Sequence, residues 1–162
     1  MALRSGLLAG SLGLLALAMA CGGSERVVIE WTGADTGRAT LDASAARCAG
    51  EIQLFATSGD TGVAMLLYPN SKLRTTAELP ILAPADARQT RPAAAVAARW
   101  LDSARVDGYR GVKGTVRLTA ATQTLSGEFR SQLRREGDQA EVTLTGQIRR
   151  VTLGACADSG GS

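Results

Sequence analysis

The chain contains no histidine among its 162 residues. This absence excludes Ser-His-Asp and Cys-His catalytic arrangements, and it removes the commonest metal ligand in proteins. An enzyme of this composition would depend on carboxylates, Lys, Tyr or Ser. The sequence also lacks a phosphate-binding loop, a calcium loop and a nucleic-acid-binding motif. We therefore expect a protein that is not an enzyme, with no catalytic residue, no cofactor and no metal site.

Aromatic residues are scarce, with two each of Trp, Tyr and Phe. They are dispersed along the sequence, which is more typical of core or rim positions than of a platform on which sugars stack. The charge is nearly balanced: without residues 1–20, which hold one Arg, 17 basic residues stand against 15 acidic ones. This excess is too small for nucleic-acid binding by bulk charge.

The first twenty residues, MALRSGLLAGSLGLLALAMA, carry one charge, at Arg4. The apolar run from Leu7 to Ala20 is too short for a comfortable membrane span. A basic start, a short apolar run and small residues at its end form the pattern of a secretory signal peptide. We expect a signal peptide at 1–20, a short linker at 21–26, a single domain at 27–156 and a flexible tail at 157–162.

The stretch LAMAC places Cys21 directly after this segment. It resembles the lipobox of bacterial lipoproteins, in which signal peptidase cuts before a cysteine that carries a diacylglyceryl group. The resemblance implies that Cys21 is the lipid attachment site and that the protein is anchored in the cell envelope. Gly22, rather than Asp, follows the cysteine, which favours the outer membrane, with the domain facing the periplasm or the cell surface. The alternative is an ordinary cleaved signal peptide next to a chance cysteine.

With Cys21 lipidated, Cys48 and Cys156 remain. An exported domain occupies an oxidising compartment, and an even pair of cysteines there suggests a disulfide. We expect Cys48 at the start of the strand that carries Ile52 and Leu54, and we expect this strand to pair with the last strand or to face it. A free thiol pair that reacts or binds metal is the alternative.

Most of the sequence after residue 26 alternates with the period of a half-buried β-strand. Clear examples are ERVVIEWTG, CAGEIQLFATS, GTVRLTAA and TLSGEFRSQLRR. TGVAMLLYP is almost wholly apolar, as a strand covered on both faces would be. In AEVTLTGQIRRVTL the alternation changes phase at Arg149-Arg150, which indicates a β-bulge or a bend to a second sheet.

All four prolines lie between residues 69 and 92, where we expect an irregular crossover. The stretch RPAAAVAARWLDSAR that follows has a proline at a good helix start and strong helix formers, yet Val96, Ala98 and Trp100 alternate. We favour a strand and leave open one short helix near 92–104. The whole pattern predicts an all-β fold, either an antiparallel β-sandwich or a flattened, lipocalin-like β-barrel.

The tripeptide Asp-Thr-Gly occurs at Asp35 and again at Asp60. It is also the catalytic signature of aspartic proteases, which place two carboxylates close enough to share a proton. Here the copies lie only 25 residues apart, and Arg38 and Val63 follow them where that family usually has Ser or Ala. We interpret both copies as turns, in which Asp bonds the local backbone and Gly supplies a positive φ.

Three functional hypotheses remain. The first is a non-catalytic envelope component that binds or scaffolds; its partners would be the membrane, through the lipidated N-terminus, and an envelope protein or polysaccharide, with no nucleic acid. The second is a lipocalin-like carrier of lipophilic ligands, and the third is a carboxylate-based hydrolase. A filled interior would favour the first hypothesis and a sizeable apolar cavity the second.

Two arginine pairs, Arg134-Arg135 and Arg149-Arg150, suggest a cationic patch on adjacent strands, although a solvated sheet face is the simpler interpretation.

Overall fold

The computed structural model describes residues 25–70, 76–102, 104–120 and 123–156. Within these ranges the chain forms nine β-strands and one short helix: β1 (Arg26–Gly33), β2 (Gly37–Cys48), β3 (Glu51–Ser58), β4 (Thr61–Tyr68), β5 (Ala77–Ile81), α1 (Pro84–Gln89), β6 (Ala93–Asp102), β7 (Arg105–Ala120), β8 (Thr124–Arg135) and β9 (Glu141–Ala155). The predicted signal peptide, Cys21 and the predicted tail lie outside the described residues. Arg26, which the sequence placed in the linker, already belongs to β1.

The strands form one sheet that closes on itself in the order β1-β2-β3-β4-β6-β5-β7-β8-β9, because β9 pairs back with β1. Neighbouring strands are antiparallel except at two short contacts, β5 with β6 and β2 with β9. The predicted all-β class is confirmed. The closed sheet is uneven, and its opposite walls pack directly against each other through one shared core, as the two layers of a sandwich do.

Two strands change partner along their length. The 16-residue strand β7 pairs through its first half with β6 and through its second half with the short strand β5. Strand β2 pairs with β1 as far as Asp42, and its residues Ala45 to Arg47 pair with the end of β9. Since β1 begins only at Arg26, β2 and β9 meet directly beyond that point.

Side chains at alternate positions fill the interior of the closed sheet. In β1, Val27, Ile29 and Trp31 are buried, whereas Glu30 and Thr32 are exposed, as the alternation predicted. The buried side chains form one continuous cluster with contributions from all nine strands. Burial of a Val, Leu, Ile or Phe side chain contributes about 1.5–3 kcal/mol. The filled interior is therefore the main source of the protein's stability.

The short helix α1 covers part of the outer face of β4 and β6. Ala87 of the helix packs with Tyr68 of β4 and with Ala93 and Ala95 of β6, and the half-buried Leu66 adds to this second cluster. This cover explains why β4 is apolar on both faces, as predicted. No helix in the described ranges is long and apolar enough to cross a membrane.

The stretch 92–104, for which one short helix was left open, contains β6 instead. The favoured strand is confirmed and the helix is wrong. Its inward side chains Val96, Ala98 and Trp100 pack in the core, and this burial outweighs the helix propensity of the alanines. The helix lies earlier, where Pro84 occupies its first turn.

The phase change at Arg149-Arg150 is a β-bulge, one of the two explanations that the sequence left open. Leu125 pairs with Val151 and Gly127 with Ile148, so β9 has one more residue than β8 over this interval. Arg150 takes a φ of 46°, and its N–H donates to Ser126 Oγ at 3.1 Å. The extra residue returns Val151 to the interior, which keeps the core continuous to the end of the strand.

Candidate binding groove on the outer wall of the barrel

Polar side chains form rows that cross the outer wall of β1, β9, β8 and β7. In one row Glu30 lies opposite Thr145, Thr145 opposite Arg130, and Arg130 opposite Thr115. Residues directly opposite each other in a sheet have Cβ atoms about 4.5–5.5 Å apart. Their polar groups are therefore close enough to act on one ligand.

A second β-bulge, in β7, determines which way Lys113 points. Gly111 pairs with Leu133 and Lys113 with Gln132, so Val112 is an extra residue on β7. Without this residue, the alternation from the buried Tyr109 would direct Lys113 into the core. The bulge places Lys113 on the outer wall, where it is exposed.

These rows line an open groove of about 750 Å³. The lining residues come from five neighbouring strands, β2, β1, β9, β8 and β7. Five of them are cationic and two are carboxylates, and the remainder are mainly hydroxyl, amide and glycine positions: Val28, Glu30, Arg38, Lys113, Gly114, Thr115, Arg117, Glu128, Phe129, Arg130, Gln132, Thr145, Gly146, Gln147 and Arg149.

Both carboxylates of the groove are paired with arginines. Arg38 Nε lies 3.4 Å from Glu30 Oε1, and Arg117 lies between Glu128, at 3.7 Å, and Glu78 of β5, at 3.0 Å. Hydrogen bonding to Glu78, with the charge of that carboxylate, raises the pKa of Arg117. All these side chains are more than half exposed, so the pairs add little stability. Their effect is to neutralise the negative charge of the groove.

Lys113 and Arg130 are left without a carboxylate. Neither forms an ion pair with any residue that the structure describes. They lie on adjacent strands one row apart, since Arg130 faces Thr115 and Lys113 faces Gln132. Thr115 and Thr145 flank Arg130 on both sides. Two free cations among hydroxyl and amide groups can bind an anionic group by charge-assisted hydrogen bonds.

A cluster of charged side chains, separate from the groove, lies at one end of the barrel. This end holds the β1–β2, β3–β4, β6–β7 and β8–β9 turns. Arg135 Nη1 donates to Asp107 Oδ2 at 2.8 Å, and Arg105 Nε lies 2.8 Å from the other oxygen of Asp107. Arg135 also binds Asp138 through both oxygens of that carboxylate. The buried Asp107 is thus held by two guanidinium groups, which satisfies the condition for burying a charge.

Three stacked aromatic rings lie beneath this end. The centroids of Trp31 and Trp100 are 4.7 Å apart, and those of Trp100 and Tyr109 are 4.1 Å apart. Trp100 Nε1 and the Tyr109 hydroxyl are buried without a hydrogen-bond partner among the described residues. Burial raises the pKa of Tyr109, although the nearby Arg135 opposes this effect. The stack closes the interior at this end.

Both Asp-Thr-Gly copies lie at turns that lead into strands, as predicted: Asp35 before β2 and Asp60 before β4. The details differ from the prediction. The positive φ values belong to Gly33 and Gly59, which precede the tripeptides, and not to the glycines within them. Asp35 accepts hydrogen bonds from the Thr36 N–H at 2.7 Å and from Trp31 Nε1 at 3.1 Å. In the described structure Asp60 accepts none, so only the first copy has a bonded carboxylate.

The register of β2 and β3 separates the two carboxylates. Asp42 of β2 pairs with Thr57 of β3. Asp35 lies seven residues before Asp42, whereas Asp60 lies three residues after Thr57. The β1–β2 hairpin therefore extends about four residues farther than the β3–β4 turn, roughly 13 Å at about 3.3 Å per residue. This geometry does not place the two aspartates as a pair that shares a proton.

The two arginine pairs of β8 and β9 do not form one patch. Arg134 pairs with Glu141 at the start of β9, with 3.3 Å between Nη2 and Oε1, and Arg135 binds the Asp107 cluster. Arg149 and Arg150 lie at least eight residues farther along β9 than Glu141, which is roughly 26 Å at about 3.3 Å per residue. Of these four residues, Arg149 alone lines the groove.

The disulfide joins Cys48 and Cys156, as predicted, with Cα atoms 5.1 Å apart. Its position differs from the prediction: Cys48 is the last residue of β2 and does not start the strand of Ile52, and it is β2, not that strand, that pairs with β9. The bond lies where β2 and β9 meet, beside the hydrogen bond from the Cys156 N–H to the Arg47 carbonyl at 3.2 Å. It ties the last strand to the early part of the domain.

The sequence did not identify the groove. The alternation in TLSGEFRSQLRR and AEVTLTGQIRRVTL correctly predicted the polar faces that hold Arg130, Gln132 and Gln147, but it could not show which strands are neighbours. The bulge that exposes Lys113 lies in a glycine-rich stretch, where few side chains reveal the phase.

The chain matches no known protein family, no curated protein and no solved structure. Among the described residues, no three His, Cys, Asp or Glu side chains are grouped so that they could hold a metal ion.

Proposed function

We propose that this protein is a non-catalytic binding module of the bacterial cell envelope, anchored by lipid at Cys21 and located at the outer membrane. The observation that carries the proposal is the contrast between the two sides of the sheet. The interior is filled by one packed cluster, whereas the outer wall holds a groove of about 750 Å³ with unpaired cations. A ligand therefore has room on the outside.

Two further observations support the envelope location. LAMAC at residues 17–21 resembles a lipobox. The disulfide between Cys48 and Cys156 suits an oxidising compartment outside the cytoplasm.

A lipocalin-like carrier is the second candidate, because the sheet is closed as it is in such carriers. A carrier needs an interior cavity, but here the walls contact each other and Trp31, Trp100 and Tyr109 stack across one end. The packed interior favours the binding module.

Membrane fractionation of a bacterial host tests the proposed anchoring. Wild-type protein should sediment with the outer membrane and incorporate labelled fatty acid, whereas Cys21→Ser should do neither. Unchanged membrane association of Cys21→Ser would contradict the anchoring.

Trp31 and Trp100, the two tryptophans of the chain, report on the interior. Saturable quenching of their emission by a fatty-acid probe would favour the carrier over the binding module.

A further inference from the structure

We propose that the groove binds an anionic polysaccharide, through the carboxylate or phosphate groups on its sugars. This inference rests on the proposed function, because it names the ligand class of the binding surface described above. The anion would bind at Arg130 and Lys113, which lie one row apart on adjacent strands and have no carboxylate partner among the described residues. Arg149, the third groove cation without a carboxylate there, donates a hydrogen bond to Gln147.

The first argument is the chemistry on the β7–β8 side of the groove. Arg130 lies between Thr115 and Thr145, and Lys113 lies in the next row beside Gln132. A guanidinium group can bind a carboxylate or phosphate through two parallel hydrogen bonds, and the neighbouring hydroxyl and amide groups can bond sugar hydroxyls. Glu30 and Glu128 do not compete for these cations because each already pairs with another arginine.

The second argument is the length of the groove. Its lining residues span five adjacent strands. At about 4.8 Å between strands, four intervals extend for roughly 19 Å. This length exceeds what a single small anion needs. Arg38 and Arg117 are paired with carboxylates, whereas Lys113, Arg130 and Arg149, the cations left unpaired among the described residues, lie on β7, β8 and β9. A chain that crosses these three strands therefore meets an unpaired positive charge on each of them.

The third argument separates a polysaccharide from an acidic peptide and from a lipid surface. Peptides often bind by adding a strand to a free sheet edge, but this sheet is closed. The groove also offers little apolar side-chain surface to a peptide, since Val28 and Phe129 are its large apolar lining residues and Phe129 is only 3% exposed. A planar bilayer cannot enter a concave surface on the side wall of the barrel. An extended polar chain with regularly spaced anions fits these features best.

The test uses the chain that follows residue 20, with Cys21→Ser, which retains every described element. Isothermal titration with a galacturonic acid hexasaccharide should show binding that weakens as sodium chloride rises. The neutral hexasaccharide of glucose should not bind. The double variant Lys113→Gln/Arg130→Gln should lose at least tenfold in affinity, and Thr145→Glu, which places a carboxylate beside Arg130, should lose as much.

The matched control is Arg88→Gln/Arg99→Gln, which removes the same charge from exposed positions outside the groove. Its affinity should stay within twofold of the wild type, and all variants should retain the wild-type circular dichroism spectrum. Equal losses in both double variants would show that bulk charge, not the groove, binds the sugar, and would overturn the proposal.

Two further probes test the ligand class. Hexaglutamate bound as tightly as the uronate would identify an acidic peptide as the ligand. Binding to phosphatidylglycerol vesicles without binding of the hexasaccharide would identify a lipid surface. Either result, or no binding by the wild type, would refute the polysaccharide. Lipid attachment at Cys21 and the filled interior are tested separately, so this failure would leave the proposed function standing.

Discussion

Asp35 connects the β1–β2 turn to the core through its side-chain hydrogen bonds. Its carboxylate accepts hydrogen bonds from the Thr36 N–H and from the indole of the buried Trp31. We predict that Asp35→Ala lowers the free energy of unfolding by about 0.5–2 kcal/mol, the usual cost of losing such local bonds. Denaturant unfolding measures this loss. Asp60→Ala, at the equivalent exposed turn without a side-chain bond, should cost less than about 0.5 kcal/mol. Equal losses in the two variants would contradict the assignment.

Asp138 should make the stability depend on pH in the acid range. Hydrogen bonds from Arg135 and from the Ala140 N–H lower the pKa of Asp138 from 3.8 to about 2. Because the folded pKa is the lower one, the ionised carboxylate stabilises the fold above about pH 4, and this contribution is lost as the pH falls through 2. Urea unfolding between pH 7 and pH 2 should show Asp138→Asn less stable than the wild type at neutral pH. The two curves should converge near pH 2; a constant difference throughout would contradict this prediction.

The sequence predicted the chemistry of single residues better than their partners. Two aspartates in identical tripeptides were both expected to bond the backbone, yet only Asp35 does so. Asp35 also accepts a hydrogen bond from the indole of Trp31, which comes within reach because β1 pairs with β2 at this turn. Sequence alternation alone does not show this contact. The pairing of Asp107 with Arg135 was not predicted, since it joins residues 28 positions apart on strands β7 and β8.

At the scale of the strands, Gly114 should be indispensable. It has a φ of 145°, and a Cβ at this position would collide with the backbone carbonyl of Arg130 on β8. We predict that Gly114→Ala destabilises the protein by more than about 2 kcal/mol, because backbone strain and backbone displacement add. Gly108→Ala, on the same strand, meets no atom within 4 Å and should be nearly neutral. Thermal unfolding of the two variants compares them directly, and similar midpoints would show that β7 does not need glycine at 114.

The bulges show how far the sequence can predict an element. The bulge at Arg149-Arg150 was predictable because large apolar residues on both sides change from even to odd positions. The bulge at Val112 was not, since glycines at 108, 111 and 114 leave too few side chains to show the same change. The proline-led stretch that contains β6 was ambiguous for a different reason, because its alanines suit a helix while its burial suits a strand.

At the scale of the whole molecule, the disulfide fastens the last strand to β2. The Cys48→Ala/Cys156→Ala variant should lose about 2–5 kcal/mol of unfolding free energy, because the bond closes a loop with a sequence separation of 108 residues. Reducing agent should lower the melting temperature of the wild type toward that of the variant and should leave the variant unchanged. If complete reduction of the disulfide left the melting temperature of the wild type unchanged, the structural role of the bond would be contradicted.

The sequence did not decide whether the sheet closes. It therefore left two alternatives for the fold, a β-sandwich and a flattened β-barrel. Each strand is encoded locally by its alternation, but closure depends on the pairing of β1 with β9, more than 100 residues apart in sequence. The groove has the same origin, since its residues from β1 and β2 meet those of β7, β8 and β9 only through this pairing. The sequence alone shows which face of each strand is polar. It does not show which strands pair, and so it does not show the groove that their polar faces form.

The central claim is that ligands bind on the outer wall while the interior stays filled. Amide chemical-shift mapping by NMR tests it directly, with the galacturonic acid hexasaccharide in one titration and lauric acid in another. We predict saturable shifts at Lys113, Arg130 and Thr145 with the sugar, and no saturable shift at the core residues Leu118 and Leu144 with the fatty acid. Saturable fatty-acid shifts at Leu118 and Leu144, with none on the outer wall from the sugar, would contradict the claim and identify a carrier.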